Sequence, residues 1–235
     1  MRVDHLAIDG SVVSFEAESD LGAGATATGW VMTPSLMRSH PFATYPPKHS
    51  YIAERAIRSA FPNISVVAAD EMGMKGGVLR VGQFRLPLAT GGTRELVAGA
   101  WESEAGCMTT SLSGAPREAL IEAFDTLQFT ARRTGISIDS PVVAMPRPPQ
   151  IIKEIPGLGV VSAQPAVASV LERVPRERGM VTNNGELFRV STSSRALLFV
   201  SRSSVVDINP FERDDPEQAL RAAGSLRVEW RVRRG

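Results

Sequence analysis

The chain repeats one helix-to-strand pattern at two places about 100 residues apart. The stretch Pro116-Arg-Glu-Ala-Leu120 recurs as Pro216-Glu-Gln-Ala-Leu220. Each stretch continues with apolar residues at helical spacing and then with a strand-like segment that ends in arginines, at 127–133 and at 226–234. This repeated pattern predicts two similar α+β units in tandem, each closed by a helix and a final strand.

The composition is that of a chain that can bury a core. Hydrophobic residues make up 43% and charged residues 22% of the 235 positions, close to the averages of globular proteins. Lys and Arg together number 26 and Asp and Glu 25, which gives a net charge of +1. Because binders of nucleic acid carry a strong basic field, we expect no nucleic-acid partner. Arg far outnumbers Lys, which we interpret as the codon bias of a bacterial genome.

The N-terminal segment and the cysteine content bear on the compartment. The first nine residues carry charges where a signal peptide needs an apolar core, and the apolar runs are far shorter than the ~20 residues that span a bilayer. We therefore expect a cytoplasmic protein with no membrane partner. The single cysteine, Cys107, excludes a disulfide within the chain and a thiolate zinc site. Its place in an apolar strand pattern favours a buried core residue.

Local patterns predict antiparallel sheets with helices packed on them. Asp9-Gly10 lies between two alternating segments, which is typical of a β-hairpin. Apolar residues at helical spacing predict helices over 51–61 and 165–174, and Asp215 before Pro216 predicts a capped helix start. The predicted strands are 3–8, 11–17, 26–32, 64–69, 78–88, 94–101, 106–112, 127–131, 186–192, 195–207 and 226–234.

A proline-rich stretch suggests where the chain divides. Residues 139–150 contain four prolines, which favours an extended, semi-rigid spacer. The sequence therefore predicts an N-terminal α+β domain at 1–138, a linker at 139–150 and a smaller C-terminal α+β unit at 151–235. The predicted fold class is α+β, with antiparallel sheets flanked by helices and two units in tandem.

Residues 77–131 resemble the end of PsbP-like superfamily domains. The run Pro116-Arg-Glu-Ala-Leu-Ile-Glu-Ala-Phe-Asp-Thr-Leu-Gln-Phe129 follows a predicted meander, and these domains commonly end with a meander, a helix and a strand of the type Ser-Phe-x-Phe. Asp125-Thr126-Leu127 departs from the usual Ser-Phe. The resemblance implies an antiparallel sheet flanked by helices, and it implies a binding or chaperone-like module more often than an enzyme. It carries over no catalytic residue.

Nucleophilic catalysis lacks a recognisable motif in this sequence. The histidines are His5, His40 and His49, no catalytic-cysteine signature surrounds Cys107, and Ser113 lacks the glycine-flanked elbow of serine hydrolases. We therefore predict no catalytic residue. His5, on the first strand, is interpreted as an ordinary surface or edge residue.

Metal and cofactor sites are equally unsupported by the spacing of the residues. His40 and His49, combined with Glu54 or Asp70, do not match the compact ligand spacing of zinc sites. The segment 73–77 has neither the spacing nor the following helix of a phosphate-binding loop. We therefore predict no metal and no cofactor.

The segment 33–50 is the strongest candidate for a binding surface. It mixes aromatic, proline and basic residues without regular periodicity, and long irregular segments in compact domains are often functional. The arginine-rich end of the chain is a second candidate. The predicted partner-binding residues are Arg38, His40, Phe42, Tyr45, Lys48, His49, Arg231 and Arg233.

Three functions follow from these patterns. The first is a non-catalytic bacterial binding or adaptor protein, or a chaperone-like accessory protein, that recognises a protein partner, because the usual enzyme constellations are missing. The second is a hydrolase or transferase with a carboxylate and serine site in a cleft between the two units. The third is a structural subunit of a homo-oligomeric assembly, for which we would expect a large apolar interface.

Overall fold

The chain is mostly β. A computed structural model describes residues 1–18, 20–22, 24–36, 38–45, 65–88, 90–140, 143–191 and 195–233. Over these residues, 50% of the chain is strand and 12% is helix. The prediction of an α+β fold with helices flanking the sheets is therefore wrong.

The strands are longest in the central meander, β5 to β8, and their described pairings are antiparallel. They are β1 (Arg2–Leu6), β2 (Val12–Glu16), β3 (Thr26–Val31), β4 (His40–Tyr45), β5 (Ser65–Met74), β6 (Gly77–Pro87), β7 (Thr93–Ser103), β8 (Gly106–Ser113), β9 (Phe129–Arg132), β10 (Gly135–Ile138), β11 (Gln150–Ile155), β12 (Gly159–Pro165), β13 (Met180–Val181), β14 (Glu186–Arg189), β15 (Leu197–Val200), β16 (Ser204–Asn209) and β17 (Arg227–Arg231).

Three helices lie within the described residues: α1 (Arg117–Thr126), α2 (Ala168–Leu171) and α3 (Pro216–Ser225). None of these three is long and apolar enough to cross a membrane. The predicted helix at 51–61 lies outside the described residues.

The predicted fold class fails because segments that we interpreted as loop, linker or helix form strands. β4 lies inside the segment 33–50, and β11 begins at the last residue of the predicted linker. The predicted helix at 165–174 is reduced to the four residues of α2, because Pro165 is already the end of β12. The predicted strand at 195–207 is a hairpin, β15 and β16, turned at Ser201–Ser203.

The chain folds into two compact units. Unit 1 comprises residues 1–27 and 148–235, and unit 2 comprises residues 28–147. The predicted division into 1–138, 139–150 and 151–235 follows the order of the chain, whereas unit 1 combines both of its ends. Within unit 2, Met32 and Ala144 exchange backbone hydrogen bonds of 2.9 and 3.1 Å, so part of the predicted linker is paired with the residue that follows β3.

Unit 1 contains two antiparallel sheets whose apolar faces share one core. The small sheet has the order β1-β2-β17, with β2 in the centre. The strands of the second run in the order β13-β14-β15-β16-β12-β11. The core draws on both sheets and on α3, and includes Val13, Phe15, Ile151, Ile155, Val161, Phe199, Val206, Ile208, Ala223, Val228 and Trp230. Two sheets facing each other across such a core form a β-sandwich.

The opposite face of β14–β16 is apolar too and is covered by the short helix α2. Val170 of α2 packs in a separate cluster with Phe188, Leu198 and Val205. Successive residues of these strands therefore enter different cores, as the alternation of side chains along a strand requires. This double burial explains why the region shows runs of apolar residues instead of a simple alternation.

Serine hydroxyl groups form hydrogen bonds with the backbone at the outer edge of β17. Ser201 and Ser204 both donate from Oγ to the carbonyl of Val228, at 3.1 and 3.0 Å, and the Trp230 amide donates to Oγ of Ser203 at 3.0 Å. Because unpaired backbone groups at a sheet edge need a partner when they are buried, these three side chains replace a neighbouring strand. They tie the β15–β16 turn to the small sheet.

Unit 2 is a meander of long strands with one described helix on it. The strands run in the order β4-β8-β7-β6-β5, and β9 and β10 form a separate hairpin. Helix α1 lies over Gly99 of β7, where an added Cβ would come within 2.5 Å of Leu120 and 3.1 Å of Phe124. Lys75, at φ 50° in the β5–β6 turn, donates to the carbonyls of Asp125 and Leu127 at the end of α1.

We predict that Ser204→Ala lowers the free energy of unfolding by about 1–2 kcal/mol, because it removes a buried hydrogen bond to the Val228 carbonyl. Ser204 is fully buried. Ser169→Ala is the control in the same unit, since Ser169 is exposed and its replacement should change stability by less than about 0.5 kcal/mol. Urea titration of the two variants measures the difference. Equal midpoints would show that the hydrogen bond of Ser204 contributes nothing.

Candidate partner-binding groove

A groove of about 480 Å³ opens in unit 2 where the last part of β6 and the first part of β7 meet the start of α1. Its volume falls in the range of small-ligand and side-chain pockets. The lining is part apolar and part charged. It consists of Gln83, Phe84, Arg85, Glu95, Leu96, Val97, Gly114, Ala115, Pro116, Arg117 and Glu118.

The turn after β8 creates this groove. Gly114 adopts φ 68°, a conformation that favours glycine, and its amide donates to the Glu95 carbonyl at 3.3 Å. The chain then reverses and enters α1 at Arg117. The first turn of the helix therefore lines the groove together with the two strands.

Arg117 has a guanidinium nitrogen without a hydrogen-bond partner among the described residues. Its Nη1 contacts Oδ2 of Asp70 at 3.0 Å, and its side chain is 28% exposed. Its Nε is buried and has no hydrogen-bond partner among the described residues. A buried donor without a partner costs about 1–3 kcal/mol, and an acceptor from a ligand would recover that free energy once the guanidinium turns its Nε into the groove.

The backbone at the start of α1 adds to this excess of donors. The first amides of a helix have no acceptor within the helix, and the N-cap residue, Pro116, provides no side-chain cap. The helix dipole also favours negative charge here. Glu118 is the acidic residue of the first turn.

The other ion pair of the groove is loosely held. Arg85 lies opposite Glu95 on paired strands, with Nη2 and Oε1 3.6 Å apart, and both side chains are more than half exposed. Exposed pairs of this kind contribute only about 0–1 kcal/mol. Arg85 can therefore turn from Glu95 to a competing carboxylate at little cost.

The structure places the predicted residues of segment 33–50 in different environments. Arg38 is exposed and His40 and Tyr45 are half-buried, whereas Phe42 is fully buried and packs on Phe124 with ring centroids 5.9 Å apart. Burial, with a smaller effect of Arg38, lowers the pKa of His40. Burial raises the pKa of Tyr45. The side chain of Phe42 does not reach the surface, so it can support a partner-binding strand but cannot contact the partner.

The remaining predicted residues are not brought together with these. Lys48 and His49 lie outside the described residues, and Arg231 and Arg233 are exposed residues of unit 1. Nη2 of Arg231 donates to Ser14 at 2.9 Å and to Asp4 at 3.3 Å. The charge of Arg231 is thus already matched within the small sheet.

Sequence reasoning missed Arg117 although it located the helix that carries it. The signal was a basic residue at the first position of the helix, where the dipole disfavours a cation. Such a residue needs a compensating acid or a ligand. Asp70 meets part of that need through one guanidinium nitrogen.

Two findings limit the chemistry of the described residues. No group of three or more His, Cys, Asp or Glu among them could hold a metal ion. Cys107 is 1% exposed, and burial raises the pKa of its thiol to about 12. A thiol in that state is a poor nucleophile, because the thiolate is the reactive form.

Comparison of the chain with protein-family models, with curated proteins and with solved structures finds no match.

We predict that Cys107 does not react with a disulfide reagent such as Ellman's reagent in the native protein at mildly alkaline pH, because its thiol is buried and protonated. The same reagent should modify it once denaturant unfolds the chain. Absorbance of the released thiolate measures the reaction in both states. Rapid modification of the native protein would contradict the burial of this residue.

Proposed function

We propose that this protein is a non-catalytic binding or adaptor protein, and that the groove of unit 2 receives a segment of a protein partner. The observation that carries the proposal is the buried, unpartnered Nε of Arg117, one of the residues that line the groove. A bacterial accessory or chaperone-like role agrees with a binding function of this kind.

The lining of the groove suits a peptide segment. Leu96 and Val97 are buried and Phe84 is half exposed, so they offer an apolar floor beside the charged residues. Protein-binding surfaces commonly combine an apolar centre with a polar rim and are enriched in arginine. A groove of this volume accommodates a few side chains, which is the scale of a short linear motif.

The donors in the groove favour a carboxylate on that segment. Arg117 has a buried Nε without a partner, and Arg85 is only weakly paired. Arginine binds carboxylates through charge-assisted hydrogen bonds that are about twice as strong as neutral ones. We therefore propose that the partner segment places an Asp, a Glu or a C-terminal carboxylate beside Arg117.

The resemblance of residues 77–131 to PsbP-like domains points in the same direction. That segment contains β6, β7, β8, α1 and the first three residues of β9. The resemblance implies a binding module more often than an enzyme. It lends support to the proposal and names no partner.

A peptide array that pairs each Asp- or Glu-containing sequence with its Asn or Gln counterpart tests the proposal. We expect the protein to retain acidic peptides in preference to their amide counterparts, with binding that weakens as salt is added. Arg117→Gln should weaken the selected peptides about tenfold or more, since hydrogen bonds to charged groups contribute about 1.5–3 kcal/mol. Arg132→Gln is the matched control, because Arg132 is exposed and does not line the groove.

A second variant acts in the opposite direction. Asp70→Asn removes the carboxylate that pairs with Arg117, so acidic peptides should bind more tightly to it than to the wild-type protein. Circular dichroism checks that both variants stay folded. Equal binding of acidic and amide peptides, or an unchanged affinity in Arg117→Gln, would contradict the proposal.

A further inference from the structure

His5 lies in the core of unit 1 and not on its surface. It is 7% exposed, so its interpretation as a surface residue is wrong, although β1 is an edge strand of the small sheet. On β1 it stands opposite Val13 of β2, which in turn stands opposite Trp230 of β17. Val13 and Trp230 both belong to the sandwich core, and the His5 ring packs on Phe15 at 5.8 Å between centroids.

The imidazole is poorly provided with polar partners. His5 Nε2 is buried without a hydrogen-bond partner among the described residues, as is Nε1 of Trp230 in the same cross-strand row. In the neutral ring this omission costs less than it would in a charged ring. A protonated ring would carry a charged N–H donor at that atom, and no described acceptor meets it.

A buried cation on another strand of unit 1 acts electrostatically on His5. Lys153 of β11 lies between Ile151 and Ile155 on the inward side of its strand and is 1% exposed. Its Nζ donates to the carbonyls of Gly22 and Gly24, each at 2.9 Å. Burial lowers the pKa of Lys153 to about 8, so this ammonium is charged at neutral and acidic pH.

The charges around His5 do not compensate a proton on its ring. Lys153 opposes the proton, and Asp4, the neighbouring residue on β1, favours it more weakly. Asp4 is itself engaged, since it accepts from Ser14 at 2.6 Å and pairs with Arg231. The side chains that β2 and β17 direct at this position, Val13, Phe15 and Trp230, carry no charge.

We propose that His5 is an acid-sensitive latch: protonation of its ring detaches β1 from β2, while β2 stays paired with β17. Detaching β1 brings the imidazolium into water without opening the rest of the sandwich. β1 pairs with β2 alone among the described strands and contributes few residues to the core. Local opening of such an edge strand requires less free energy than global unfolding.

The direction of the pH effect follows from the lowered pKa of the histidine. Burial, then the charge of Lys153, lowers the pKa of His5 from 6.5 to about 4. Between these values the detached strand takes up a proton that the closed strand does not, so the closed state loses stability as pH falls through this window. The opening equilibrium can rise by at most about tenfold for each pH unit.

Hydrogen–deuterium exchange measured between about pH 7 and about pH 5, corrected for the intrinsic exchange rate, tests the latch. In the wild-type protein, the amides by which β1 and β2 pair should lose protection by up to about tenfold per pH unit below pH 6.5, while the amides by which β2 and β17 pair stay protected. His5→Phe, which keeps an aromatic ring of similar size, should abolish the pH dependence. His40→Gln is the control, because that histidine belongs to unit 2, and it should behave as the wild type.

Two further measurements test the latch if His5→Phe fails to fold. His5→Gln removes the titration with a smaller change in polarity and should show the same loss of pH dependence. Nuclear magnetic resonance of the ring protons should show His5 titrating well below 6.5 in the native protein. Protection of residues 2–6 that does not change with pH, equal loss of protection in all three strands, or a ring that titrates near 6.5 would each overturn the latch.

Discussion

Strand β2 is the element on which the architecture of unit 1 depends. It pairs with β1 on one side and with β17 on the other, so the first and last strands of the chain belong to one small sheet. Val13 and Phe15 of β2 are fully buried in the core that this sheet shares with the larger one. The pairing of β2 with β17 joins residues more than 200 positions apart, and the loop-closure entropy of such non-local contacts slows folding.

Several local elements could be predicted from sequence patterns, whereas the fold class could not, for identifiable reasons. The hairpin around Asp9-Gly10, the meander of β6–β8 and both helix-to-strand closures are found. The repeated helix-to-strand pattern holds for local structure only, because β9 pairs with β10 whereas β17 pairs with β2. Strands β11 and β12 were missed because Lys153 interrupts an apolar alternation of Ile151 and Ile155, and because the prolines before them suggested a linker.

The groove and the core histidine show the same limit of sequence-based prediction. Arg117 and His5 were both visible in the sequence, but their importance depends on burial and on partners from distant segments. His5 was judged a surface or edge residue from its strand alone, while its environment is set by Lys153, about 150 positions further along the chain. Residue types and spacing predict elements; only the tertiary contacts reveal which polar groups lack a partner.

The pairing of β2 with β17 can be tested directly by nuclear Overhauser effects between backbone protons. Ser14 stands opposite Asp4 on one side and Glu229 on the other, so inter-strand contacts should appear from Ser14 to both residues. This result would establish that the two ends of the chain share a sheet. Contacts from Ser14 to Asp4 with none to Glu229 would contradict the account, because β17 would then close the chain elsewhere.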